Sequence, residues 1–412
     1  MFLPLIFLAL LTAACRTSAT RQVWGVNPAI ARLQAGHNLQ SEVDALAQPL
    51  LDSGEAYGMV IGVVLPDGTT QTFCYGHNDG PGDPRPLNAD SLFQIGSVSK
   101  VFLATLVVRL VEQGRLRYDE TVRSILPTNI VVSADAGRLT VYELLTHTSG
   151  LSRELWWPNQ VGSVIAYFVL GRNVYAHLTT PFLYNYLRVC HLHVQKPPQF
   201  KYSNIGFGLL ANLVAVKTGR PATDLIEEEI CRPLNMTNSV FFLDDKQKRR
   251  LAVGHVGNQA CWRFRSARMA PWDMGDLMRP VSGMYSSVND LLIFAKANLG
   301  MLHLPLESTL AATHQVQIES ARGGEAFGWI VSRFDEGRRI LTFKDGMVSG
   351  YRAYIGMDLN ARVAVVVLNN QFDWDDKIGH NLLLRLAGAY GRKNSALQAR
   401  SHLSNTPLTP SR

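Results

Sequence analysis

Apolar and polar residues alternate at both ends of the chain, and the middle follows a different rhythm. Tyr57 to Leu65 and Thr69 to Gly76 are β-rich runs joined by Pro66-Asp67-Gly68, residues that favour a tight turn, so they predict a hairpin. The pattern returns at Phe327 to Phe334, Arg339 to Phe343, Tyr351 to Met357 and Arg362 to Leu368. Asp335-Glu336-Gly337, Asp345-Gly346 and Asp358-Leu359-Asn360 separate these runs with turn chemistry, and Phe343-Lys344-Asp345-Gly346 reads as a strand end. An antiparallel sheet is expected. Asn38 to Leu51 and Asp375 to Tyr390 predict a helix at each end of it.

Between these ends, Thr140 to Leu145, Ala211 to Lys217, Thr223 to Ile230 and Val288 to Leu299 read as helices, and little between Gln113 and Asn289 alternates as a strand would. The expected fold class is therefore α/β of the α+β kind: an antiparallel sheet flanked by helices, with a mostly helical lobe inserted. The corresponding boundaries are a leader at 1–21, an α/β lobe from 22–112 and 280–392, a helical lobe at 113–279 and a basic tail at 393–412, expected to be disordered. Trp156 to Phe200 is rich in aromatic residues and leucine, which suits either extra core or a cleft wall.

Composition agrees with a large core, since 47% of the 412 residues are hydrophobic and only 18% are charged. The net charge of +7 comes largely from dispersed residues and from Arg392, Lys393, Arg400 and Arg412 in an acid-free stretch. No basic stripe interleaved with aromatics appears, so no nucleic-acid partner is expected. Met1 to Leu11 is apolar and leads into Thr12-Ala13-Ala14-Cys15, which reads as an export signal too short to span a bilayer. It predicts an exported chain, either secreted to the periplasm or anchored to the membrane as a lipoprotein through Cys15. Cys74, Cys190, Cys231 and Cys261 are too widely spaced for a small disulfide framework. Cys190-His191-Leu192-His193 lacks a convincing fourth ligand, so no metal is expected.

The densest chemical signal is Phe93-Gln94-Ile95-Gly96-Ser97-Val98-Ser99-Lys100, followed by an apolar run that reads as a buried helix ending near Gly114. Ser97 opens that helix, and a lysine three residues on shares its face. A serine hydroxyl needs a base beside it, and lysine serves as one only when burial and neighbouring positive charge lower its pKa. The helix start also directs a backbone N–H and the positive dipole end at an oxyanion.

Two further motifs accompany it. Lys201-Tyr202-Ser203-Asn204 precedes an apolar helix start, and Lys344-Asp345-Gly346 closes a predicted strand. Serine-x-x-lysine, tyrosine-x-asparagine and lysine-x-glycine in this order resemble the superfamily of penicillin-binding proteins and class C β-lactamases. Leu145-Thr146-His147-Thr148-Ser149-Gly150-Leu151, Glu228 to Met236 and Gly283 to Leu291 look like other stretches of that family, and the resemblance covers about Leu51 to Tyr390. It lies nearest the D-alanyl-D-alanine carboxypeptidase/endopeptidase and esterase branch.

The resemblance implies a serine hydrolase that needs no cofactor, a D-alanyl-D-alanine carboxypeptidase/endopeptidase or β-lactamase-like enzyme of the cell envelope acting on a peptidoglycan peptide or a β-lactam, with an esterase of the same fold or a non-catalytic peptidoglycan-binding protein as the alternatives. It makes Ser97 the nucleophile and Lys100 and Tyr202 its proton-transfer partners. Asn204 would hold Lys100 and a substrate amide, Lys344 would sit beside the Tyr202 hydroxyl and bind a carboxylate, Gly346 would let substrate backbone approach, and the Met347 N–H would be the second oxyanion donor. Two positions depart from the pattern. Asp345 stands where threonine or serine is usual, which sets a carboxylate against a substrate carboxylate unless it points away or pairs with Lys344 or Arg352. Glu154 stands near a position where class C enzymes carry a substrate-binding glutamine.

Overall fold

The computed structural model describes residues 38–54, 56–79, 83, 85–154, 173, 175–192, 198–256, 268–320, 323–334, 339–372 and 377–390. The leader with Cys15, the tail at 393–412, Cys261, His193 and most of the aromatic stretch after Glu154 lie outside them. In chain order the strands are β1 Gly58–Val64, β2 Thr70–Gly76, β3 Phe93–Gln94, β4 Gly254–Val256, β5 Arg268–Met269, β6 Tyr285–Ser286, β7 Ile318–Ser320, β8 Gly323–Glu325, β9 Ile330–Phe334, β10 Arg339–Val348, β11 Tyr351–Asp358, β12 Val363–Asn369 and β13 Gln371–Phe372.

Eight of these form one sheet in the order β2-β1-β12-β11-β10-β9-β8-β7, with antiparallel neighbours throughout. The first strand of the chain thus pairs with a late one, Val60 opposite Leu368 and Val64 opposite Ala364. Side chains alternate between the faces. Met59, Ile61 and Val63 of β1, with Val363, Val365 and Val367 of β12, meet an outer layer made of the helix Leu39–Asp52 and a helix at 378–390. Val60, Val64, Ala364, Val366 and Leu368 meet the other core, which holds the helices Ser99–Glu112, Asn204–Thr218 and Val288–Asn298. Because β1 and β12 are buried on both faces, their sequences are nearly continuous apolar runs.

Several expectations need correction. Ser97 does not open the long helix; it sits in a 3-10 turn, Gly96–Val98, and the α-helix proper is Ser99–Glu112. Asp345-Gly346 is not a turn. β10 continues to Val348, because β11 pairs with it through Asp345↔Tyr354, Gly346↔Ala353 and Met347↔Arg352, and the chain reverses only at Ser349, which has φ 49°. Long-range pairing overrides the local turn signal.

The helix read at Ala211 to Lys217 begins at Asn204, and the one read at Thr223 to Ile230 becomes a π turn over Glu227–Cys231. Thr180–Val189, Gly275–Ser282 and Glu307–Thr313 are additional helices. Pro280 and flanking glycines mask the second of these, while the first lies in the aromatic stretch. Among the described residues no helix is long and apolar enough to cross a membrane.

Candidate active site

The geometry starts from Gly96, whose φ of +53° suits glycine and lets the chain swing from β3 into the 3-10 turn. Ser99 then ties the turn down by donating to Gly96 O at 2.7 Å and accepting from Met284 N at 3.3 Å. Lys100, one residue further, is fully buried, and its Nζ donates to Ser97 Oγ at 2.9 Å and to Val281 O at 3.3 Å. The Tyr202 hydroxyl donates to the same Ser97 Oγ at 2.9 Å. One hydroxyl oxygen is thereby held between an amine and a phenol.

Tyr202 is positioned by a collar of neighbours. The His147 ring lies 4.5 Å from it, centroid to centroid, and 4.5 Å from Phe207, and His147 Nδ1 accepts from Ser203 N at 3.1 Å. The loop carrying His147 is held by a left-handed φ of 58° at that residue. Lys344 Nζ stands 4.8 Å, the Arg153 guanidinium 4.9 Å and Lys100 Nζ 5.2 Å from the centre of the Tyr202 ring, all within cation–π range.

These charges set the proton affinities. Burial pushes the Lys100 amine down, and Lys344 adds to that while Tyr202 opposes it. For Tyr202, burial acts upward, but the positive charges of Lys100, Lys344 and Arg153 outweigh it and bring the phenol below its ordinary value. Both groups beside Ser97 are thus more acidic than in water. His147 is held well below the usual imidazole range by burial and by Lys344, Lys100 and Arg153, so it remains neutral beside Tyr202.

β10 approaches Ser97 edge-on. β9 pairs with it only as far as Phe343, so from Lys344 to Val348 the edge on that side has no strand partner among the described residues. Gly346 is required by contact, since a Cβ there would lie 2.0 Å from Ile95 O and 3.0 Å from Ser97 N. From the other side, a Cβ on Gly96 would lie 2.7 Å from Met347 N. The Gly96-Ser97 turn and the Gly346-Met347 segment of β10 are therefore packed backbone against backbone.

The residues that departed from the family pattern behave differently from one another. Asp345 shares the face of Phe343, whose ring packs 4.8 Å from that of His380 and 5.9 Å from that of Tyr354. Its field acts on His380 and Tyr354, that of Lys344 on Lys100, Tyr202 and His147, and both reach Glu325. Asp345 thus lies on the opposite face of β10 from Lys344 and Gly346. Glu154, by contrast, joins the site: its Oε1 accepts from Asn204 Nδ2 and, at 3.0 Å, from the Tyr175 hydroxyl. Asn204 therefore holds Glu154, and the second acceptor for Lys100 is the Val281 carbonyl.

Sequence reasoning did not assign Arg153, Tyr175, Val281 or Glu325 to the site. Burial pushes the Glu325 carboxyl up to about 8, with Lys344 pulling it down and Asp345 adding to the rise. No local signal marks these residues, because each is brought in by a different segment. Cys74, Cys190 and Cys231 carry free thiols, and the Ser133 hydroxyl, which donates to Cys190 O at 2.8 Å, is also 3.7 Å from the Cys190 sulfur.

Residues 43–389 match the family described as Beta-lactamase. The D-alanyl-D-alanine-carboxypeptidase/endopeptidase AmpH of Escherichia coli (strain K12) is 28% identical over 320 residues, covering 76% of this chain and 80% of that protein. Esterase EstB of Burkholderia gladioli is 29% identical over 278 residues, covering 61% of this chain and 69% of its own. The fold is that of a class C beta lactamase from Rhodobacter sphaeroides, with TM-score 0.69 and 23% identity over 82% of this chain and 97% of that one. A family match spanning the sheet, the serine turn and the inserted helices makes this chain a serine hydrolase and a member of the Beta-lactamase family.

Proposed function

We propose that the chain hydrolyses D-alanyl peptides through an acyl-enzyme on Ser97. The observation that carries this reading is the Ser97 Oγ held at 2.9 Å from both Lys100 Nζ and the Tyr202 hydroxyl. Ser97 Oγ bonds to the substrate carbonyl carbon and passes its proton to the Lys100–Tyr202 pair, while the Ser97 and Met347 amides bind the oxyanion. The C–N bond then breaks and the leaving amine takes the proton. Water attacks the acyl carbon and gives a proton to the same pair; the carbon–Oγ bond then breaks, Ser97 Oγ takes that proton back, and the acid leaves.

Lys344 receives the substrate carboxylate, and the unpaired edge of β10 aligns the substrate backbone beside Gly346. The orientation of Asp345 toward His380 and Tyr354 supports this role for Lys344. Likeness to a carboxypeptidase/endopeptidase over three quarters of the chain supports the substrate class. An ester substrate is the second reading, favoured by the likeness to an esterase and by the missing hydroxyl between Lys344 and Gly346.

Rates on a D-alanyl-D-alanine pentapeptide, benzylpenicillin and p-nitrophenyl butyrate separate the two. Release of D-alanine supports the peptide reading; turnover confined to the ester overturns it. The apolar run from Met1 to Leu11 before Cys15 supports placement in the cell envelope. Cys15→Ala should then release the protein from the membrane fraction if the anchor is a lipid, and should change nothing if the chain is simply secreted.

A further inference from the structure

The proposed reaction makes no use of His147, a buried titratable residue that touches the chain on both sides of Tyr202. Its carbonyl oxygen accepts from Lys201 N at 2.8 Å, and its ring Nδ1 accepts from Ser203 N at 3.1 Å. The ring itself lies against the Tyr202 ring, tilted by 34°, and also meets the rings of Phe207 and Phe200. One residue thereby grips three consecutive positions.

The grip has a firm base. His147 N donates to Leu144 O at 3.3 Å and Thr148 N to Glu143 O at 2.9 Å, while the Thr146 hydroxyl reaches Tyr142 O at 2.8 Å and the Thr148 hydroxyl at 3.0 Å. The left-handed backbone of His147 is a conformation in which histidine and asparagine are enriched, and from it carbonyl and ring reach the same segment.

Chemistry narrows what can stand there. Because Nδ1 accepts, the proton of the neutral ring is on Nε2, which is buried without a partner among the described residues. An unpaired buried donor is destabilising, so packing alone does not account for the imidazole. A phenyl ring would stack on Tyr202 but leave Ser203 N without this acceptor; a carboxylate would accept but raise the proton affinity of the phenol. A neutral imidazole does both tasks.

We propose that His147 is the positioning residue of Tyr202, a clamp whose Nδ1 and carbonyl hold residues 201–203 so that the phenol hydroxyl stays on Ser97 Oγ. This rests on the proposed function, in which Tyr202 shares the serine proton. His147 acts through Tyr202 and not on the reacting atoms.

Acylation of Ser97 is read in single turnover with enzyme in excess over p-nitrophenyl butyrate, which keeps slow variants measurable. His147→Phe keeps a ring and removes the acceptor, and should slow acylation by about 10- to 100-fold, as for a misplaced proton-transfer group. His147→Asn places an amide oxygen where Nδ1 stood and suits the left-handed backbone, so it should recover most of that loss. In a Tyr202→Phe background, which leaves the clamp no hydroxyl to aim, His147→Phe should slow acylation by less than about threefold more. A general loosening of the structure would slow both backgrounds alike. Equal losses in the two backgrounds, or a folded His147→Phe within about threefold of the parent, overturn the proposal. If His147→Phe does not fold, His147→Asn decides: a rate within about tenfold of the parent supports the clamp, and a larger loss in a folded protein overturns it. Tyr202→Phe acylated at the parental rate would refute instead the proton-transfer role of Tyr202, and with it the reading on which the clamp stands.

Discussion

The two faces of the eight-stranded sheet use the same strands for opposite purposes. On the outer face Met59, Ile61, Val63, Val363, Val365 and Val367 pack against the terminal helices, where a part-buried ion pair, Arg385 Nη1 to Glu42 Oε2 at 2.7 Å, joins those helices. On the inner face, Lys100, Lys344, His147 and Asn204 are all buried, and unpaired polar atoms remain beside Tyr202. β10 shows the contrast within three residues, since Lys344 and Gly346 face the serine while Asp345 faces His380. The outer layer holds the sheet; the inner layer holds desolvated charge in place, which stability alone would not favour.

The largest effect that sharpens this comparison comes from the inner face. Lys100→Met removes the amine and retains much of the volume, so kcat/KM should fall by about 10²- to 10⁴-fold while the protein stays folded. A fall below tenfold would mean that Tyr202 alone moves the proton. On the outer face the order reverses. Glu42→Ala removes the carboxylate that accepts from Arg385 and should cost about 1.5–3 kcal/mol in denaturant unfolding, with kcat/KM on the folded protein retained.

Gly346→Ala falls between these in character. Its Cβ would collide with Ile95 O, a backbone atom, so overpacking should cost about 1–3 kcal/mol and acylation should slow through displacement of the Ser97 turn. Unchanged kinetics in a stable variant would show that the strand does not seat against the turn as described.

The smallest effect concerns pH. Catalysis requires a deprotonated member of the Lys100–Tyr202 pair, and both groups lie below their ordinary values. The rate should therefore rise with pH and level off below about pH 10, where an exposed lysine or tyrosine would only begin to titrate. Lys344 lowers both groups, so Lys344→Ala should move the rising limb to higher pH. Movement to lower pH would contradict the electrostatic account.

The serine–lysine pair was legible in the sequence because its geometry is local: a spacing of three places both on one side of a helical turn. The sheet assembled from both chain ends was legible for a similar reason, since strands announce themselves by alternation. The partnership of Glu154 with Asn204 was not, because it joins a loop to a helix start 50 positions further along the chain. Nor was the face taken by Asp345, which depends on strand register and on continuation of β10 past an apparent turn. Register is decided by pairing with β11, and no short motif encodes it.

The central claim, that Ser97 becomes acylated between Lys100 and Tyr202, is tested most directly by acid-quenched intact-protein mass with benzylpenicillin and with p-nitrophenyl butyrate. The account predicts an acyl adduct that maps to the peptide containing Ser97 and is absent in Ser97→Ala. An adduct on another residue, or one undiminished in Ser97→Ala, would contradict it.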